Sequence, residues 1–224
     1  MNPSTLIVAS FIASLQLAIG LVAAHGETAS PALVWNFDRE QPGVLPSQFS
    51  IGTLFDGRPA GDWQVLATDR AKSPPHVFAQ LMAKGAEHAY KVVLSKDVIA
   101  SDLNLEVSFL PVQGNADMGG GLIWRAADDR NYYLARANPL EQNLRVYRVV
   151  NGIRHLLQNF DQTIRVKQWH TLRVTHQDCR VNIFYDNKQV FDFCDKTFHD
   201  GMIGLWTKSD AVTYFDDLQL QHLK

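Results

Sequence analysis

The side chains that could do chemistry in this chain are carboxylates in close pairs and arginines interleaved with tyrosines. The carboxylate pairs are Asp128-Asp129, Asp216-Asp217, and Asp192 with Asp195. Glycoside hydrolysis needs two carboxylates facing each other across a sugar, one protonated and one ionised. Alternate strand residues share a face, so an E-x-D-x-x-E-like spacing would supply such a pair economically, and none occurs. Adjacent strand residues point to opposite faces, which sets Asp216 and Asp217 apart; a solvated edge or a turn cap is the simpler role. There is no H-E-x-x-H, no G-x-S-x-G, no phosphate-binding loop and no paired C-x-x-C. The histidines lack metal-ligand spacing, and His170, following Trp169 at a strand start, reads as a half-exposed structural residue. Gly119-Gly120-Gly121 opens a strand rather than a helix, so it reads as close backbone packing or a bulge, not a dinucleotide fingerprint.

The elements that must position these residues are strands. Short runs rich in Val, Ile, Phe, Tyr and Trp predict strands over Leu33–Phe37, Trp63–Ala67, Val77–Met82, Ala89–Leu94 and Leu103–Leu110. They continue over Gly120–Arg125, Tyr132–Ala137, Leu144–Val150, Ile153–Leu157 and Trp169–Thr175, then Val181–Tyr185, Val190–Phe193, Met202–Trp206 and Thr213–Leu220. Pro42-Gly43, Ser73-Pro74-Pro75, Asn151-Gly152 and Asp186-Asn187 supply turn chemistry between them, and Asn151-Gly152 makes a tight hairpin. Residues 41–62 are the least regular and read as a long surface loop. Many short strands at near-regular spacing predict an all-β, antiparallel two-sheet sandwich.

Alternation assigns the faces. Pairing through the Asp128-Asp129 turn sets Arg125 opposite Tyr132 and Gly121 opposite Arg136, and opposed residues share a face. Arg145 and Tyr147 of the next strand extend it. The other face then holds Leu122, Trp124, Tyr133, Ala135, Leu144 and Val146 as core. Arg125, Tyr132, Arg136, Arg145 and Tyr147 would form a polar, aromatic-walled groove suited to a hydroxyl-rich or acidic sugar. Guanidinium groups donate hydrogen bonds, and aromatic faces stack on pyranose rings. The competing reading is a solvated outer face whose long Arg stems cover apolar surface.

A formal charge of −2, with no cluster of Lys and Arg, excludes an electrostatic case for nucleic acid or a polybasic membrane patch. The uncharged run from Leu6 to Ala24 ends in Val22-Ala23-Ala24, the pattern of a secretory signal peptide over residues 1–24. Its length also fits an uncleaved anchor, although no stop-transfer charges follow. Cleavage after Ala24 implies a secreted or periplasmic protein with no stable membrane insertion. Residues 25–32 then form a leader, and 33–224 a single domain. In an oxidising compartment Cys179 and Cys194 can pair. A two-residue turn at Asp186-Asn187 sets Ile183 against Val190 and Cys179 against Cys194, at about 4.5–5.5 Å between Cα atoms, within disulfide range. A turn centred on Asn187-Lys188 would shift the register and spoil that match.

Gly120-Gly121-Leu122-Ile123-Trp124-Arg125, Asn131-Tyr132-Tyr133-Leu134-Ala135-Arg136 and Asn143-Leu144-Arg145-Val146-Tyr147 resemble the central strands of concanavalin A-like lectin/glucanase domains. The nearest similarity is to the laminin G-like and 3-keto-disaccharide-hydrolase-like group. Gly204-Leu205-Trp206-Thr207-Lys208 and Phe215-Asp216-Asp217-Leu218 continue it, so that it covers Leu33 to the C-terminus. The resemblance implies a concanavalin A-like jelly roll. It also implies a structural Ca²⁺ held by Asp216 with backbone oxygens near Asn36 to Asp38, donors that suit a hard cation. No motif requires a cofactor. The jelly roll of family sixteen glycoside hydrolases is similar, but their acidic motif has no counterpart here. Carbohydrate is the expected partner, bound in the groove of a lectin-like domain. The alternative that the resemblance implies is a glycoside hydrolase or lyase acting on a 3-keto disaccharide or oligosaccharide. A protein-binding laminin G-like adhesion module is the third.

Overall fold

A computed structural model describes Met1 and residues 31–223; the expected signal segment and the leader up to residue 30 lie outside the described residues, Met1 apart. Fifteen strands, numbered along the chain, make up the described residues with no helix among them. All pairings are antiparallel. One sheet runs, in spatial order, β13 (Lys188–Cys194), β12 (Arg180–Tyr185), β11 (His170–Gln177), β6 (Leu103–Gln113), β15 (Val212–His222), β4 (His76–Gln80) and β3 (Trp63–Ala67), with β1 (Leu33–Trp35) also on β15. The other runs β10 (Ile153–Asp161), β9 (Asn143–Val150), β8 (Asn131–Asn138), β7 (Gly120–Asp128), β14 (Gly201–Lys208), β5 (Tyr90–Ala100) and β2 (Phe49–Ile51). The expected two-sheet sandwich is what forms.

Period-two alternation builds the core between the sheets. On β6, Leu103, Leu105, Val107 and Phe109 are buried and meet Leu172 and Val174 of β11 on one side and Phe215 and Leu220 of β15 on the other. Leu122, Trp124, Tyr133, Ala135, Leu144 and Val146 face them from the second sheet, as the alternation predicts. Each fully buried Leu or Phe contributes about 1.5–3 kcal/mol. Gly120 is required because the Phe215 ring occupies the space a β-carbon would take, with its nearest atom at 2.7 Å.

The central strands of the second sheet are buried on both faces, while its edge strand β10 is largely exposed. β7 and β8 are almost wholly buried, because Val92, Ile123, Tyr132, Leu134, Val149 and Trp206 form a second apolar cluster on the face away from the core. This explains the mixed faces of these strands: neither side is left to solvent.

Two departures from the expected elements are local. Residues 41–62 contain β2, which pairs with β5 and buries Phe49, so they are not all loop. β5 runs on past Leu94 to Ala100, since the ladder to β14 resumes at Ile99 and Ala100 beyond a break at the exposed Lys96 and Asp97. The Asn151-Gly152 and Asp186-Asn187 turns both have positive φ at their two central residues, the hallmark of the tight type I′ hairpin. After the second turn Tyr185 faces Lys188 as expected, but Val190 bulges out and Ile183 meets Phe191 instead. The offset does not prevent pairing of the cysteines: Cys179 and Cys194 form a disulfide, their Cα atoms 4.8 Å apart.

Candidate functional site

The face of the second sheet that points away from the core collects most of the residues expected to line a groove. Gly121 pairs with Arg136, Arg136 with Arg145, and Leu134 with Tyr147, so Tyr132, Arg136, Arg145 and Tyr147 share that face. Arg125 does not. Its φ is +47° and the β7–β8 register breaks between Trp124 and Asp128, so the expected pair with Tyr132 is never made. The Arg125 side chain is 2% exposed. Its Nε donates to the Ser101 carbonyl at 2.7 Å, and its terminal nitrogens to the carbonyls of Phe198 and Asp178 and to Asp102 Oδ1 at 3.0–3.3 Å. It also meets His176 Nε2 at 2.9 Å, while Trp124 Nε1 donates to His176 Nδ1 at 3.0 Å. A cationic imidazole would carry N–H groups toward both neighbours, which are donors themselves. Burial, then the Arg125 charge, hold the His176 pKa down at about 4. Arg125 is a structural tie.

On the outer face Tyr132 is fully covered and does not reach solvent. Its hydroxyl, which burial pushes well above the usual tyrosine range, lies beside Trp206 Nε1, and neither has a well-formed hydrogen bond. Above them stands Arg154, absent from the expected set. Its guanidinium carbon lies 4.9 Å from the ring centres of both Tyr90 and Tyr147 and 6.0 Å from that of Trp206. Tyr90 and Trp206 are 5.7 Å apart. With Phe55, His88 and Leu156, the residues Tyr90, Tyr147 and Arg154 line an open hollow of about 560 Å³. Phe55, 67% exposed, stands against Gly152 and carries the Arg130 guanidinium 5.1 Å from its ring centre. Beyond Phe55 and His88 a second hollow of about 250 Å³ is walled by Leu54, Met82, Ala86, Ala89 and Lys91. Burial lowers the Lys91 pKa to about 8, and its Nζ donates to the Met82 carbonyl.

The Asn151-Gly152 hairpin already places Arg154 opposite Val149, diagonal to Tyr147, so a local signal existed for it. Tyr90 and Trp206 arrive through the β5–β14 and β14–β7 pairings, between segments distant in the chain.

The other end of this face is charged. Arg136 is buried and donates to Glu141 Oε2 at 2.9 Å and Asn143 Oδ1 at 2.7 Å; Arg145 reaches the same Glu141 oxygen at 2.9 Å and Asn159 Oδ1 at 2.9 Å. Asp117 is buried 3.4 Å from Lys208 Nζ. Burial raises the Asp117 pKa. Burial also pushes Glu141 upward, but Arg136 and Arg145 overcome it and carry the net shift below the usual range.

Asp216 is buried, and its carboxylate accepts from the amides of Lys72, Ser73 and Asp217 at 2.8–2.9 Å and from Ser73 Oγ at 3.2 Å. Asp217, at φ +50°, bends back so that Ser73 Oγ also donates to it at 2.6 Å. The two carboxylates therefore meet at one serine, where regular alternation would part them; the β15–β6 bulge after Asp216 is the cause. Asp38 accepts from the His76 amide and from Asn36. Among the described residues no three His, Cys, Asp or Glu side chains gather as a metal group. His170 is buried rather than half-exposed, held between Asp186 Oδ2 at 2.8 Å and the Arg165 carbonyl at 2.9 Å.

No protein-family model matches the chain. A levanase of Bacillus subtilis (strain 168) is 26% identical over 121 residues, which are 53% of this chain and 17% of the levanase. The chain thus spans a small part of that curated relative. Among solved structures, the carbohydrate-binding module CBM66 of Bacillus subtilis superposes with a TM-score of 0.63 at 20% identity, over 78% of this chain and 95% of the module. An endo-acting O-glycanase of human gut bacteria, a group that initiates mucin breakdown, superposes at 0.59 with 10% identity, over 86% and 99%. The likeness to these solved structures, both under 25% identical, shows the two-sheet antiparallel sandwich fold.

Proposed function

We propose that this chain is an exported carbohydrate-binding domain that holds a saccharide in the cavity over Tyr90, Tyr147 and Arg154. The observation that carries the reading is this aromatic wall around a fixed guanidinium. The N–H edges that the rings leave free can bind a sugar's hydroxyls, and the exposed Phe55 ring at the rim can stack on its C–H face. An open hollow of about 560 Å³ has room for a small saccharide lying along it. The likeness to a levanase segment and to CBM66 supports the same reading. The Cys179–Cys194 disulfide supports an oxidising compartment, and hence export.

Calorimetric titration with a panel of oligosaccharides, fructans included, tests it. Arg154→Ala should weaken binding by about 1–3 kcal/mol with little change in folding, whereas Tyr147, buried in the outer apolar cluster, would lose stability as well as binding on truncation to Ala. Equal binding by Tyr147→Ala and Arg154→Ala variants would move the site elsewhere on the molecule.

A second reading, glycoside hydrolysis, is favoured by one observation. Asp117 and Glu141 both feel the charge of Arg136, and their pKa values are displaced in opposite directions, as in an acid–base pair. Turnover abolished in both Asp117→Asn and Glu141→Gln, with saccharide binding retained, would establish it.

A further inference from the structure

We infer that the saccharide is anionic and that Arg130 and Arg154 receive its oxyanion, a carboxylate or a sulfate ester. The inference rests on the binding reading above and names the class of sugar.

Most arginines here are already matched. Arg58, Arg125, Arg136, Arg145, Arg148, Arg173 and Arg180 each pair with a carboxylate. Arg130 and Arg154 pair with none among the described residues. Each is held on aromatic rings instead, Arg130 on Phe55 and Arg154 between Tyr90 and Tyr147. Rings cover the faces of a guanidinium and leave its N–H edges free, in the fork that matches the oxygens of a carboxylate or sulfate. Holding the fork in place beforehand also removes much of the entropy that an anion would otherwise have to overcome.

The charge around them is one-sided. Three adjoining hollows share Phe55 and His88. Their walls carry Arg58, Lys84, Lys91, Arg130 and Arg154, against only Asp56 and Asp129. Arg58 and Asp56 neutralise each other at 2.6 Å, which leaves Lys84, Lys91, Arg130 and Arg154 against Asp129, whose carboxylate accepts from the Thr53 amide. A chain of net charge −2 therefore concentrates positive charge where the sugar is proposed to sit. Clefts of one sign with apolar walls focus that potential. Arg70 is a useful contrast: it too lies over a ring, that of Tyr214, at 5.5 Å, but lines none of these hollows.

The test is calorimetry on the full chain with three sets of oligosaccharides of matched length: neutral, uronic-acid-bearing and sulfated. Titrations run at about 50 mM and about 500 mM NaCl, because screening weakens exposed charge contacts. Acidic sugars of one or both kinds should bind at least about tenfold more tightly than neutral ones, and lose most of that margin at high salt. Arg154→Gln and Arg130→Gln should each cost the acidic sugars about tenfold more than the neutral ones, while Arg70→Gln changes neither. Arg154→Lys, which keeps the charge, should fall between wild type and Arg154→Gln, and melting curves on each variant establish that it is folded. Neutral sugars binding as tightly as acidic ones, or either Gln variant weakening both sets equally, would overturn the inference while leaving sugar binding intact. Absence of binding by all three sets would remove the underlying reading as well.

Discussion

Arg125 and Arg154 belong to the same sheet and meet opposite environments. Arg125 is buried where β7 kinks, with carbonyls of Ser101, Asp178 and Phe198, the Asp102 carboxylate and His176 around its guanidinium. Arg154 lies on the outward face of the β9–β10 hairpin, gripped by ring faces and paired with no carboxylate among the described residues. In the first case every donor edge is spent inside the protein, and the residue joins separate segments. In the second, position is fixed by contacts that leave the donor edges unspent. Residue type and sheet membership do not decide which arginine meets a ligand; acceptors already in place do.

The largest expected effect tests the first half of that contrast. Arg125→Ala should cost about 3–5 kcal/mol in urea unfolding, since it strands Asp102 and several carbonyls in a buried site. Arg154→Ala should stay within about 1 kcal/mol in the same assay, its loss appearing in ligand binding. Comparable destabilisation by both would erase the distinction.

His176 sharpens it by pH. Its folded pKa of about 4 lies below the ordinary 6.5, so between those values the unfolded chain binds the extra proton. Stability is then fully present above pH 6.5 and is lost as pH falls through about 4, by roughly 3 kcal/mol in total. His176→Asn keeps an acceptor for Trp124 without titrating. Unfolding at neutral and acid pH should show the wild type losing more than the variant. An identical loss in both would mean that other groups carry the acid sensitivity.

The disulfide bounds the same region, because Cys179 follows the residue whose carbonyl receives Arg125. Its cysteines are 15 residues apart, a loop for which closure entropy gives about 3 kcal/mol. Reduction should lower the unfolding midpoint accordingly and leave sugar affinity at the Arg154 face unchanged. A drop in affinity on reduction would show that the two regions are coupled.

Legibility in the sequence followed the regularity of the backbone. Where strands alternate strictly, as in Leu122, Trp124, Tyr133 and Ala135, the core face is readable directly. It fails at bulges. Nothing in Trp124-Arg125-Ala126 announces a residue at positive φ, for there is no glycine there, and the kink turns Arg125 inward. The same kind of break at Val190 displaces a register that the Asp186-Asn187 turn sets correctly, and another after Asp216 unites two carboxylates that alternation separates. Arg154 was within reach of hairpin arithmetic. Its partners Tyr90 and Trp206 were not, since strand order, which no local pattern encodes, brings them to Tyr147. The position of Asp216 in the chain says nothing of the loop amides of Lys72 and Ser73 that bond it.

The smallest expected effect isolates burial from pairing. Arg148 has a carboxylate partner, Asp195 at 3.4 Å, and a second acceptor in Thr197 Oγ1 at 3.2 Å. By partner type it resembles Arg125. It is nevertheless 41% exposed where Arg125 is 2% exposed. Water can replace its contacts, and Asp195 keeps the Tyr133 hydroxyl at 2.5 Å and the Thr197 amide at 2.8 Å whether or not Arg148 is present. An exposed pair of this kind is worth about 0–1 kcal/mol. Arg148→Ala should therefore unfold within about 1 kcal/mol of wild type, and the difference should shrink further in high salt. A cost approaching that of Arg125→Ala would mean that the ion pair itself, rather than the desolvated acceptors around it, is what makes an arginine on this sheet structural.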